Sequence, residues 1–166
     1  MKRILFIAAV TLFFGLFAGT VYAETFTFPY AFTALNLNGT EVTEKSLGEK
    51  ELFVVHYWAT WCGPCVREMP DLAAIVQKYG DRVGFIALLD DYHDNRSAAI
   101  RITEKAGVSF AMVDARHKDF RKLLQMLQSG YVPTTVLIGK NGKIAGEQII
   151  GAYGKGYGGF IDKALK

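Results

Sequence analysis

The sequence predicts an α/β domain with a central mixed β-sheet flanked by helices, and three observations predict it. Two compact apolar runs, Leu52–Trp58 and Val83–Leu89, are rich in β-branched and aromatic residues and have the length of buried strands. Between them Val66, Met69, Leu72, Ala73 and Val76 recur at three- and four-residue spacing, which marks one apolar face of a helix. Further on, Thr134 to Gly139 and Ile144 to Ile150 flank Lys140-Asn141-Gly142-Lys143, and Asn-Gly is the strongest short hairpin signal. Strand, helix and strand give a parallel crossover, and the hairpin adds an antiparallel end.

The elements follow in order. Thr25 to Leu37 alternates loosely and ends at the turn signal Asn36-Leu37-Asn38-Gly39, ahead of a short strand over Thr40 to Thr43. After the first buried strand, a helix opens at Pro64 and runs to Tyr79, with Gly80 as its stop and Pro70 expected to kink it. Asn95 to Ala106 reads as a helix, with Asn95 or Ser97 near its start and Gly107 just past its end. Phe110 to Val113 is a short extended piece, His117 to Gln128 a further helix, and Gly154 to Lys166 a closing one.

The chain has 166 residues, 51% of them hydrophobic and only four of them proline, so it has ample material for a core and no signature of disorder. The first residues differ from the rest. Met1-Lys2-Arg3 is basic, Ile4 to Ala18 is mostly apolar, and small uncharged residues lead to Val21-Tyr22-Ala23. These are the parts of a secretory signal peptide over residues 1–23, or of an uncleaved anchor, since the uncharged stretch 4–23 matches the roughly 20 residues that span a bilayer. Both readings export the chain and leave residues 24–166 as one domain, with no repeat or linker. Without residues 1–23 the balance is 17 basic against 16 acidic residues, which provides no footprint for nucleic acid.

Cys62 and Cys65 are the only cysteines. A bridge between residues this close gains almost nothing from chain entropy, so its value is chemical rather than structural. The pair lies where a strand hands over to a helix. There the first cysteine meets free backbone N–H groups and the positive end of the helix dipole, which stabilise a thiolate. Cys62 is therefore expected to attack and Cys65, one turn on and more shielded, to resolve the mixed disulfide. A structural zinc site would need a second such pair, and haem attachment a histidine where Val66 stands. A copper-binding chaperone, with His93 or His117 adding an imidazole to the thiolates, is an alternative from another class.

The string Tyr57-Trp58-Ala59-Thr60-Trp61-Cys62-Gly63-Pro64-Cys65-Val66-Arg67-Glu68-Met69-Pro70 resembles the thioredoxin superfamily, and within it the TlpA/ResA-like branch of exported thiol–disulfide oxidoreductases. The resemblance implies a thioredoxin fold with an N-terminal extension and a crossover insertion. It matches Cys62 and Cys65 to the redox pair. It matches Pro133, in Tyr131-Val132-Pro133-Thr134-Thr135, to a cis-proline loop facing that pair, which leaves the Val132 backbone to bind an extended substrate. Glu68 matches an acid used near the redox site, where it would tune Cys65 or accept its proton; the alternative is a solvated surface acid. His56 stands where thioredoxins place a buried aspartate. It shares a strand face with Val54 and Trp58, and is either a base for Cys65 or a hydrogen-bonded core residue. Trp58 and Trp61 are expected to wall the site, and Gly63-Pro64 resembles the dipeptide of reducing thioredoxins.

The function implied is reduction of protein disulfides in the periplasm or at the outer surface, including those of apocytochromes c, with no cofactor beyond the Cys62–Cys65 disulfide. No nicotinamide, flavin or peroxidatic-cysteine motif is present, so electrons are expected from a membrane thiol transporter. A disulfide oxidase or isomerase is the rival within the same chemistry.

Overall fold

A computed structural model describes residues 24–127 and 130–166; the expected signal or anchor segment, 1–23, lies outside the described residues. Four short strands precede the main sheet: β1 (Phe26–Thr27), β2 (Thr33–Leu35), β3 (Glu41–Thr43) and β4 (Glu49–Lys50). β2 and β3 pair antiparallel across the Asn36–Gly39 turn, where Gly39 takes φ 84°, and β1 pairs antiparallel with β4. The chain then runs through β5 (Leu52–Trp58), α1 (Gly63–Tyr79), β6 (Val83–Leu89), α2 (Tyr92–Ala106), β7 (Ala111–Asp114), α3 (Arg121–Met126), β8 (Thr134–Ile138), β9 (Ile149–Ile150) and α4 (Tyr157–Ala164).

The main sheet has the order β7-β6-β5-β8-β9. β5, β6 and β7 are parallel, whereas β8 and β9 continue antiparallel from the other side of β5. Because β5 is central, both of its faces are covered, and its residues divide by parity. Phe53 and Val55 face a layer made by Phe28 and Phe32 of the N-terminal extension with Phe120 and Leu123 at α3. Leu52, Val54 and Trp58 face the opposite layer, built from α1, α2 and α4. His56 lies on this second face, under α1 and α4.

Several expectations need correction. Helix α1 runs unbroken across Pro70, which is exposed. The loss is confined to the one bond that the missing N–H would have given to the Val66 carbonyl. Helix α2 spans Tyr92–Ala106 but is interrupted by non-helical geometry at Asn95 (φ −132°, ψ 25°), so a short first turn precedes the helix expected to begin near Asn95. Asn95 N–H still makes the helical bond to the Asp91 carbonyl at 2.9 Å, and its Nδ2 donates to the Asp91 carboxylate at 3.0 Å. The helix expected over His117 to Gln128 is a 3-10 turn, Lys118–Phe120, followed by α3; Gln128 lies outside the described residues. The strand expected over Ile144 to Ile150 survives only as an Ile144 bridge to Ile138 and as β9. Gly146, at φ 85°, breaks it, and the Gln148 amide turns away to donate to the Met126 carbonyl. The closing helix begins as a 3-10 turn over Gly154–Gly156 before α4.

Among the described residues, no helix is long and apolar enough to cross a membrane.

Candidate active site

Strand β5 ends at Trp58, and the loop Ala59-Thr60-Trp61 carries the chain to the start of α1. Asp91, buried at the β6–α2 junction, holds this loop. Its carboxylate accepts from the Thr60 N–H at 3.1 Å and from the Thr60 hydroxyl. Cys62 is the N-cap of α1 in an extended conformation, and its sulfur accepts the Cys65 N–H at 3.2 Å. Pro64 sits in the first turn, where its missing N–H removes no helical bond. Cys62 and Cys65 are joined as a disulfide. Cys62 keeps 5% exposure and Cys65 none, so access from solvent is to the first sulfur alone.

The Val132–Pro133 bond is cis, and the Val132 carbonyl oxygen lies 3.6 Å from Cys62 Sγ. In the disulfide that sulfur has no proton, so the approach is a contact rather than a hydrogen bond. The Pro133 carbonyl accepts from Gly151 N–H at 2.8 Å, which ties this loop to the segment after β9. Gly63 is open enough for the Arg67 guanidinium to lie over it, 3.2 Å from where a Cβ would be.

Beneath the disulfide lies a buried polar cluster. Register places His56 of β5 opposite Thr135 of β8, and His56 Nδ1 is 2.9 Å from Thr135 Oγ1. Thr135 Oγ1 is 3.0 Å from the Tyr157 hydroxyl, which donates to Glu68 Oε2 at 3.0 Å. The same carboxylate oxygen accepts the Tyr153 N–H at 3.0 Å. His56, Glu68, Thr135 and Tyr157 are each at most 3% exposed. Glu68 occupies the helix face of Cys65, three residues on. It is no solvated surface acid, because α1 presents that face to the sheet and to α4.

Burial dominates the electrostatics here. It brings His56 down to about 3, so the imidazole is neutral. It raises the Glu68 carboxyl above the ordinary carboxylate range, with Asp71 adding repulsion, against the stabilising Tyr153 and Gly154 N–H groups and the Tyr157 hydroxyl. Burial and the Glu68 charge also push the Tyr157 hydroxyl upward.

The tryptophans separate. Trp58 is fully buried against Cys65 and Met69 in the core. Trp61 is 66% exposed, so it is not the packed wall expected of it: it lies beyond the strand, on the loop, and stands out beside Cys62. Tyr131, 70% exposed, precedes the Val132–Pro133 loop directly, whereas the Tyr153 ring, 48% exposed, packs against Tyr157 and Phe160. His93 pairs with Asp114 at 2.9 Å and His117 caps the following 3-10 turn. Among the described residues, no group of three or more His, Cys, Asp or Glu is placed to hold a metal ion.

Sequence reasoning missed Thr135, Tyr157, Asp91 and Thr60. Thr135 was within reach, as the second threonine after Pro133 on a strand facing β5. Tyr157 sits in a glycine-rich stretch with no periodic signal, and its role comes from tertiary packing alone.

A family model described as the AhpC/TSA family matches residues 25–146. The chain belongs to that family. Among curated relatives it is 32% identical over 137 residues to the thiol-disulfide oxidoreductase ResA of Geobacillus thermodenitrificans, covering 75% of this chain and 74% of the relative. It is 33% identical over 121 residues to ResA of Bacillus anthracis, covering 72% of this chain and 66% of that protein, just under two thirds of its length. Solved structures with the same fold include a thioredoxin-family thiol:disulfide interchange protein from Chlorobium tepidum, with a TM-score of 0.69 and 20% identity. That match covers 87% of this chain and 99% of that one. StoA from Bacillus subtilis follows with a TM-score of 0.61 and 18% identity, over 83% and 98%. The AhpC/TSA chain described here therefore has the thioredoxin fold, with β1–β4 as its N-terminal extension and the α2–β7 unit inserted in the crossover from β6 to β8.

Proposed function

We propose that the chain is an exported thiol–disulfide oxidoreductase that reduces protein disulfides through Cys62 and Cys65. The observation that carries this reading is the asymmetric pair at the N-terminus of α1, one sulfur reachable and one sealed, opposite the Val132–Pro133 loop. Relatives named thiol-disulfide oxidoreductases support it.

In the proposed cycle the reduced chain presents the Cys62 thiolate to a substrate disulfide. A Cys62–substrate bond forms, the substrate S–S bond breaks, and one substrate thiolate leaves and is protonated from solvent. Cys65 gives its proton to Glu68 and attacks Cys62 Sγ. The Cys62–Cys65 disulfide closes and the second substrate thiolate departs, so the substrate gains two electrons and the chain loses them. The Val132 backbone aligns the substrate as an added strand, and the exposed Trp61 and Tyr131 give it an aromatic rim.

Reopening the disulfide needs a dithiol donor, which we assign to a membrane thiol transporter. Location in the periplasm or at the outer surface rests on the basic, apolar and small-residue pattern of residues 1–23; retention of 4–23 would tether the chain to the membrane. Paired cysteines of apocytochromes c are the substrates that the ResA-like resemblance suggests.

The test is trapping. Cys65→Ser should accumulate a mixed disulfide on Cys62 with a disulfide-bonded substrate, visible as added mass removed by dithiothreitol, and Cys62→Ser should give neither adduct nor turnover. A Cys65→Ser chain that traps nothing would remove the resolving role.

A further inference from the structure

Two buried polar atoms face each other at the centre of the polar cluster: His56 Nε2 and Glu68 Oε1 stand 3.8 Å apart and neither has a hydrogen-bond partner. Their neighbours explain why. Glu68 Oε2 is committed as an acceptor by the Tyr153 N–H and the Tyr157 hydroxyl. Tyr157 has then spent its proton, so its oxygen accepts from Thr135; Thr135 has spent its own, so its oxygen accepts from His56 Nδ1. The chain of donors thus has one direction, and it leaves Nε2 with a lone pair. With Glu68 ionised, that lone pair meets a second acceptor, and 3.8 Å lies outside hydrogen-bonding range, as two acceptors should.

We propose that Thr135 and Tyr157 are positioning residues that fix the His56 tautomer, so that His56 Nε2 receives the proton which Glu68 Oε1 takes up during exchange. The step rests on the oxidoreductase reading above. The Cys65 S–H bond breaks, an O–H bond forms at Glu68 Oε1, and that O–H donates to Nε2 without transfer, so the imidazole stays uncharged. His56 then favours the protonated acid, whereas Tyr157 and Tyr153 favour the carboxylate. The other groups acting on the acid are the Gly154 N–H, which favours the carboxylate, and Asp71 on the same helix, which favours protonation.

The readout is the Glu68 carboxyl titration by 13C NMR in the purified chain with its disulfide closed, where no thiol titrates and no exchange activity is needed. Failure here is therefore separate from failure of the trapping experiment. Tyr157→Phe removes a donor from the carboxylate, which raises the midpoint, and also frees the Thr135 hydroxyl to donate to His56 Nδ1, which lowers it, so this variant is read from the 15N shifts of the imidazole instead: Nδ1–H in the unaltered chain, Nε2–H in Tyr157→Phe. Thr135→Val frees the His56 tautomer and lets an Nε2–H face Glu68, which should lower the midpoint, by about tenfold in the ionisation constant. His56→Gln, whose amide can donate, should lower it likewise. Thr135→Ser, which keeps the hydroxyl, should titrate like the unaltered chain. An imidazole that keeps its proton on Nδ1 in both Tyr157→Phe and Thr135→Val would overturn the assignment. An unmoved midpoint in Thr135→Val would overturn it as well.

Discussion

Burial brings the His56 pKa from its ordinary 6.5 to about 3, so the folded chain excludes a proton that the unfolded chain binds throughout that interval. His56 therefore favours folding fully above pH 6.5, and its contribution is lost as the pH falls toward about 3. Glu68 acts with the opposite sign. Its folded-state pKa is raised, so it favours folding at low pH and loses that contribution as the pH rises through its folded value. His56→Gln should accordingly lose less stability than the unaltered chain between pH 7 and pH 4, compared by urea unfolding with the disulfide closed. Equal losses would show that the imidazole is not the group being excluded. At this scale the sequence is a good guide to candidates and a poor one to partners. The period of two along Leu52–Trp58 puts His56 on the face of Val54 and Trp58, and three-residue helical spacing puts Glu68 on the face of Cys65. Nothing local says that Tyr157, 89 residues beyond Glu68, closes the cluster.

The elements that carry the site were legible because their burial is regular. β5 and β6 are covered on both faces and read as continuous apolar runs, and α1 shows its apolar face at helical spacing. Their register leaves little slack. Gly84 of β6 pairs with Phe53 of β5, and a Cβ at Gly84 would fall 2.2 Å from the Phe53 ring. Gly84→Ala should therefore cost about 1–3 kcal/mol, since two fully covered strands cannot part without exposing both faces. Urea denaturation measures this, and an unchanged midpoint would mean that the ring can move aside. The elements that were misjudged lie where side chains compete with the backbone. The Gln148 amide reaches Met126, and Gly146 takes a left-handed φ. A propensity argument weighs each residue alone and does not see these bonds.

For the whole molecule, the sheet order β7-β6-β5-β8-β9 explains why the redox pair and the Val132–Pro133 loop meet. β5 and β8 are antiparallel neighbours, so the end of β5 that leads to Cys62 lies beside the start of β8 that follows Pro133. The order of elements along the chain predicted that mixed sheet, and the CxxC at a strand-to-helix junction predicted its reactive end. The direction of electron flow is a property of the couple rather than of the fold. It is read most directly by equilibrating the purified chain with glutathione or dithiothreitol and quantifying the Cys62–Cys65 disulfide. A reductase predicts a potential near that of thioredoxin, about −270 mV, whereas a value near about −120 mV would mark an oxidant and contradict it.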